Sequence, residues 1–367
     1  MALLKDLYSP SFYKRLSDAL AVVLPSFNKQ RFISQIFTSD FNDKELKERM
    51  RHTTQVLHAY MPSDFKKTVI LLERLIEQLK KKGIPEDGLV YIFLPDYIEI
   101  YGLEEYDVSV KAIETITQFV SCEFAVRPFI IKYGKKMMDQ MKKWSLHEND
   151  KVRRLASEGS RPRLPWGMAI PFLKTDPSYI LPILENLKND PSEWVRRSVA
   201  NNLNDIAKDH PDLVISLARK WKGISDETDA IIKHGSRTML KKGHAEILTH
   251  YGLISKHIHI SSFKIETPAV KMGENLVFSF LVTNQGRKKQ TVRLEYGLYF
   301  RKANGQLTRK VFKISEKIYE PGIHVAVTRK QSFRKITTRV FYPGKHNLSV
   351  IVNGEEKGVK SFVVKTS

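Results

Sequence analysis

From Ser11 to about Tyr251 the apolar residues recur at intervals of three and four, as in Phe12, Leu16, Ala19, Leu20 and Val23. That spacing lines one face of an α-helix, and strand-like alternation is nearly absent over the same stretch. Pro25, Pro62, Pro85, Pro95, Pro165, Pro191 and Pro211 cut the region into helices of ordinary length, because proline inside a helix forfeits a backbone hydrogen bond. The prediction is a stack of helical hairpins. After Ile258 the period falls to two, in Leu276–Val282, Val292–Phe300 and Asn347–Asn353, with β-branched and aromatic residues in alternation. Turn signals at Asn284-Gln-Gly286, Ala303-Asn-Gly305, Pro321-Gly322, Pro343-Gly344 and Asn353-Gly354 punctuate these segments. About seven short strands in ~110 residues fit an immunoglobulin-like sandwich. A length of 367 residues also suits about two domains. The expected fold is therefore mostly α, a HEAT-like α-solenoid over 1–254 followed by an all-β immunoglobulin-like sandwich over 255–367.

The helical part carries an internal repeat. Lys151-Val-Arg-Arg154 returns 43 residues later as Trp194-Val-Arg-Arg197, inside the roughly 40 to 47 residues of HEAT-type pairs. The first copy is broken by Glu158-Gly-Ser-Arg-Pro-Arg-Leu-Pro-Trp166, which sets a carboxylate, two arginines and an indole within nine residues. In the second copy Val195, Val199, Leu203 and Ile206 form the buried stripe, so Arg197, Asn201 and Asp205 fall on another face. Shifting back by the repeat places Arg154 and Glu158 on the equivalent face of the neighbouring helix. A weaker third copy, 36 residues on, aligns Lys233, Arg237 and Lys241 with the same row. Stacked repeats show such rows side by side along a curved groove.

A basic ridge beside two acids raises a question of chemistry. Carboxylates repel phosphates unless they meet something positive, and a cationic transition state is one such partner. The alternative is that Glu158 and Asp205 simply pair with Arg154, Arg197 or their neighbours. Ala112, Ile113, Ile116, Phe119, Val120 and Phe124 make the helix expected to carry Glu123 apolar on the adjoining side, which predicts partial burial with Arg127 as a structural partner one turn on. Trp144, Trp194 and Trp221 can serve as core, as can Trp166, but the Pro165-Trp166-Gly167 context within the interruption favours a presented ring. Arg161 and Arg163 in the same break are candidates for phosphate.

Charge sharpens the choice of partner. Residues 255–367 hold 22 Lys and Arg against seven Glu and no Asp, so this third carries +15 of the chain's net +21. Such an excess points to a polyanion, nucleic acid first, since Lys and Arg on phosphates release condensed counterions. Arg287-Lys288-Lys289, Arg301-Lys302, Arg309-Lys310, Arg329-Lys330 and Arg334-Lys335 are expected on turns and strand ends, as phosphate contacts or as a solubilising face. No apolar run approaches the ~18 to 20 residues that span a bilayer, and the N-terminus lacks the order of a secretory signal. An intracellular, cytoplasmic location is expected, with no membrane partner. The single cysteine, Cys122, excludes intrachain disulfides and reads as a small buried hydrophobe. Eleven scattered histidines and no paired metal-ligand spacing argue against zinc.

With these residues laid out, the chain resembles the AlkC-type DNA alkylation-repair glycosylases of the HEAT-like repeat superfamily, relatives of the AlkD-type enzymes. The resemblance rests on Ala156–Trp166, on Trp194–Asp205 and on Ile232-Lys-His-Gly-Ser-Arg237, and the first of these is the most specific. The β domain resembles the immunoglobulin-like appendage of one branch. The resemblance implies hydrolysis of the N-glycosidic bond of cationic bases such as 3-methyladenine and 3-methylcytosine in duplex DNA, with no metal or organic cofactor. It also implies that Glu158, Trp166 and Asp205 line the lesion with Glu123 nearby, and that bent DNA is read without rotating the lesion into a deep pocket. Arg154, Arg161, Arg163, Arg197, Lys233, Arg237, Lys241 and the basic loops of the β domain are the expected DNA contacts. A monomer is expected. Two other classes stay open at this point: a non-catalytic HEAT scaffold that binds DNA, and a metal-dependent nuclease.

Overall fold

A computed structural model describes residues 3–336 and 339–366. Among them sixteen α-helices run from Pro10–Val23 to Ala245–His250, and eight strands follow. Contacts divide the chain into two compact units, residues 1–210 with 221–235, and residues 211–220 with 236–367. The second unit takes in the helices Pro211–Trp221 (through Lys220), Arg237–Lys242 and Ala245–His250 together with all the strands.

In the first unit the helices Asp150–Gly159, Glu193–Ile206 and Asp226–Gly235 pack in succession. The Asp150–Gly159 helix starts where the Asn149 side chain accepts the Lys151 N–H at 2.9 Å, satisfying a donor that the first turn leaves free. It buries Val152, Leu155 and Ala156 on its apolar side. It ends at Gly159, where an added Cβ would meet Val126 Cγ1 at 2.6 Å, and Pro162 prevents continuation. The 43-residue repeat is matched in detail. Arg153 donates to the carbonyls of His147 and Glu148, and Arg196, its equivalent, donates to those of Asp190 and Pro191. Each arginine thus ties down the turn that precedes its own helix.

Trp144 and Trp221 are core, each turning its indole N–H to a carboxylate, Glu114 and Glu185 respectively. Cys122 is buried as expected, and burial raises its thiol pKa far above the ordinary value.

The strands are β1 (Ile258–Ile265), β2 (Ala269–Lys271), β3 (Asn275–Asn284), β4 (Gln290–Arg301), β5 (Leu307–Tyr319), β6 (His324–Ser332), β7 (Gly344–Val352) and β8 (Glu355–Lys365). They form two sheets, β1-β3-β6 and β2-β8-β7-β4-β5. Phe278, Phe280, Leu294, Leu298, Leu348 and Val350 from both sheets meet in one core. Asn353 (φ +47°) and Gly354 (φ +81°) make the tight β7–β8 turn that the Asn-Gly pair predicts. The basic pairs divide differently from expectation. Arg287, Lys288 and Lys289 are exposed in the β3–β4 connection, and Arg301-Lys302 closes β4, but Arg309-Lys310 and Arg329-Lys330 lie within β5 and β6. Alternation places such residues on the outer face of a strand as readily as in a turn.

Candidate active site

The interruption after Asp150–Gly159 is shaped by one buried cation. Arg127 is fully buried, and its Nη1 donates to the carbonyls of Gly159 (2.9 Å) and Arg161 (2.8 Å) while Nε donates to that of Met168 (2.5 Å). It therefore pins both ends of the segment that runs from Glu158 to Met168. Burial and the nearby Arg161 push its guanidinium down to about 10. Its Nη2 has no hydrogen-bond partner. This differs from the expected role, because Arg127 is spent on backbone carbonyls and does not bond Glu123. Glu123 also lies beyond the end of the Tyr106–Thr117 helix, in the connection before Val126–Tyr133. Its partners are Arg154 Nη1 at 2.8 Å and Ser121 Oγ at 3.0 Å.

Arg161 bridges the two other carboxylates. Its Nη1 donates to Glu158 Oε1 at 2.6 Å, and its Nε and Nη2 lie 2.9 and 2.8 Å from Asp205 Oδ2. Glu158 Oε2 accepts from Ser198 Oγ at 2.6 Å, and Asp205 Oδ1 accepts from Lys208 Nζ at 2.8 Å. Asn202 completes the helix-to-helix link by donating to the Ser157 carbonyl at 2.8 Å. Glu158 and Asp205 thus stand on adjoining helices, as the 43-residue repeat predicts, but within the packing and not on a displayed face. Both are nearly covered, at 6% and 2% exposure, and Arg161 is covered with them at 6%. The expectation that Arg161 and Arg154 wait for phosphate is corrected. Arg161 is consumed by two carboxylates, and Arg154 by Glu123 and by the Trp194 ring 4.3 Å away. A buried guanidinium needs such partners to offset its lost hydration.

Trp166 meets its expectation of a presented ring. The residue is 64% exposed, and its backbone holds φ +65°, a left-handed conformation that bulky L-residues rarely adopt. Lys47 caps the Trp166 carbonyl. Arg163 pairs with Asp209 at 2.7 Å, and Arg197, largely exposed, reaches Glu193 at 3.1 Å. Ser236 alone separates the helices that carry Lys233 and Arg237; those two are half-buried and Lys241 is exposed. Ser198, Lys208 and Asn202 join the site without any signal in the sequence pattern. No group of three or more His, Cys, Asp and Glu among the described residues could hold a metal ion, and no helix among them is long and apolar enough to cross a membrane.

Glu123, Glu158, Arg161, Trp166 and Asp205 all fall within residues 53–243, which match the family described as DNA alkylation repair enzyme. The chain belongs to that family. Residues 259–366 match a second family, the C-terminal Ig-like domain of uncharacterised protein YhaZ, so the β-sandwich of this family member is immunoglobulin-like. A Bacillus subtilis (strain 168) protein, described as uncharacterized protein YhaZ, is 44% identical over 365 residues, 99% of this chain and 100% of the relative. The solved Pseudomonas fluorescens alkylpurine DNA glycosylase AlkC, bound to DNA containing an abasic site analog, is 33% identical with a TM-score of 0.93. The match covers 99% of this chain and 100% of that one. In this alkylation-repair chain, then, the carboxylate cluster and the exposed indole lie on a helical framework shared from end to end with a DNA-bound glycosylase.

Proposed function

We propose that the protein is a DNA glycosylase that hydrolyses the N-glycosidic bond of cationic alkylated bases, with 3-methyladenine and 3-methylcytosine as substrates. The observation that carries this reading is the pairing of Glu158 and Asp205, from adjoining helices, on one guanidinium of the same short segment that presents Trp166. A base methylated at N3 is already positive and leaves as a neutral heterocycle, taking the electron pair of the C1′–N bond. The enzyme needs no acid for the leaving group. It must stabilise an oxocarbenium-like sugar, which carboxylates do electrostatically. Water then adds its oxygen to C1′ and passes a proton to Glu158 or Asp205, a general-base contribution of roughly 10² to 10⁴-fold.

A phosphate of bound DNA competes for the more exposed Lys208 and releases Asp205 Oδ1 toward the sugar, while Arg161 holds the two carboxylates in place. Trp166 offers its π face to the cationic base or sugar, worth about 0.5 to 2 kcal/mol. Glu123, held by Arg154, supports the site from behind, and the exposed Arg197, Lys241, Arg287, Lys288, Lys289 and Lys302 supply phosphate contacts. Protein and DNA act as a 1:1 complex of monomer and duplex, without a metal. The burial of both carboxylates in ion pairs favours one competing reading, a DNA-binding scaffold without catalysis. Base release separates the two. Wild type is expected to free the methylated base from duplex DNA in EDTA, and Glu158→Gln to bind the same DNA with release reduced at least 100-fold. Equal release by both proteins contradicts the assignment of Glu158.

A further inference from the structure

A cleft of about 600 Å³ opens against Trp166, between the Leu46–His58 and Phe93–Tyr101 helices and the Phe124 and Met168 segments. That volume lies within the roughly 300 to 1,000 Å³ typical of small-molecule sites. Its walls include Met50, Ile92, Pro95, Phe124, Met168 and Trp166. Lys47 joins the two aromatic walls, since its ammonium stands 5.1 Å from the Phe124 ring centroid and bonds the Trp166 carbonyl. The strained backbone of Trp166 therefore has a local support on the cleft side.

The polar groups of the cleft are unequally used. Asp96 is closed: Arg51 reaches it with Nε at 3.1 Å and Nη2 at 2.8 Å, and Thr54 Oγ1 donates to Oδ2 at 2.7 Å. Glu99, nearly one turn on, receives only a marginal 3.5 Å contact from Arg51 Nη2. It keeps carboxyl oxygens for a ligand. Burial, and then the neighbouring Asp96, push Glu99 up to about 7, so it can accept a hydrogen bond or donate one near neutrality. Five carboxylates and three cations line the cleft, in a chain of net charge +21. The local field thus disfavours phosphate. A flat heterocycle with N–H donors, neutral or cationic, suits both the apolar walls and the open carboxyl.

We infer that this cleft is a binding site for the free alkylated nucleobase after cleavage, held against Trp166 and Phe124 and hydrogen-bonded to Glu99. The inference rests on the glycosylase reading, because the base enters the cleft only once its bond to the sugar is broken. Trp166 then lines the cleft that receives the departing base.

The test uses full-length protein and free 3-methyladenine, with binding followed by equilibrium dialysis and by its inhibition of base release. Wild type and Glu158→Gln are expected to bind the free base alike. Glu99→Met, which removes the acceptor, and Met50→Trp, which fills the cleft, are each expected to weaken binding about tenfold or more. Circular dichroism checks that both variants fold. If wild type releases base from DNA but the free base does not bind saturably, or binds both cleft variants as it binds wild type, the cleft inference fails and the glycosylase reading stands. If wild type releases no base from methylated DNA, the reading itself fails and the inference falls with it.

Discussion

Removing Arg161 tests whether the carboxylate cluster is a charge-balanced centre held together by one shared cation. Arg161→Met leaves Glu158 and Asp205 buried at 6% and 2% exposure without that cation. Breaking a buried ion pair from one side costs about 3–5 kcal/mol, because the charge left behind stays desolvated. Here the lower end applies, since Asp205 keeps Lys208 at 2.8 Å and Glu158 keeps Ser198 at 2.6 Å. A loss of about 3 kcal/mol corresponds to a fall of roughly 6–12 °C in the Tm of a unit this size. The assay is thermal unfolding of the helical transition by far-UV circular dichroism, at low and moderate salt. The triple variant Arg161→Met, Glu158→Gln, Asp205→Asn removes the stranded charges and is expected to recover more than half of the loss. A single Arg161→Met variant within about 1 kcal/mol of wild type would refute the reasoning, as would a triple variant less stable than the single one.

Trp166→Gly relieves a left-handed backbone and deletes an exposed ring, so stability is expected to hold or rise by about 1 kcal/mol while base release falls; a clear drop in Tm would show that the ring supports the fold. Glu99→Gln carries a pH signature. Because the folded-state pKa is raised from 4.5 to about 7, wild type loses stability as pH rises between those values and the amide does not. The Tm of Glu99→Gln minus that of wild type should therefore be larger at pH 8 than at pH 5, and a pH-independent difference counts against the desolvated carboxyl. Replacing Arg287, Lys288 and Lys289 together by Ala should weaken DNA binding uniformly across sequences and make the slope of log K against log salt shallower by about 1 for each phosphate no longer neutralised. An unchanged slope would remove this loop from the interface.

Periodicity carries the architecture well because it reports which face of each element is apolar. It separates helices from strands near Ile258, and the 43-residue repeat makes neighbours of the helices bearing Glu158 and Asp205. It also singles out Trp166, since Pro165 and Gly167 leave no helix to bury the ring. What periodicity leaves open is where a long side chain ends. Arg161 lies in the non-helical break, so its direction depends on the backbone path that Arg127 sets through three carbonyls, and neither is encoded in a spacing. Glu123 escapes its expected helix for a related reason. Apolar residues continue through Phe119 and Val120, but the Tyr106–Thr117 helix has already ended and Cys122 N–H donates to Thr117 Oγ1. Ser198 and Lys208 look like ordinary surface residues in the sequence, and they acquire meaning only from the carboxyl oxygen each one meets. The three-residue β2 is too short to alternate visibly.

Catalysis by the carboxylate pair is measured most directly as single-turnover base release from duplex DNA carrying 3-methyladenine or 3-methylcytosine, in EDTA, for wild type, Glu158→Gln and Asp205→Asn, with DNA affinity measured in parallel. Free methylated base is expected from wild type, with affinity kept in both variants and release reduced at least 100-fold in one or both. Tight DNA binding with no release from wild type, or undiminished release from both variants, would contradict that role of the pair.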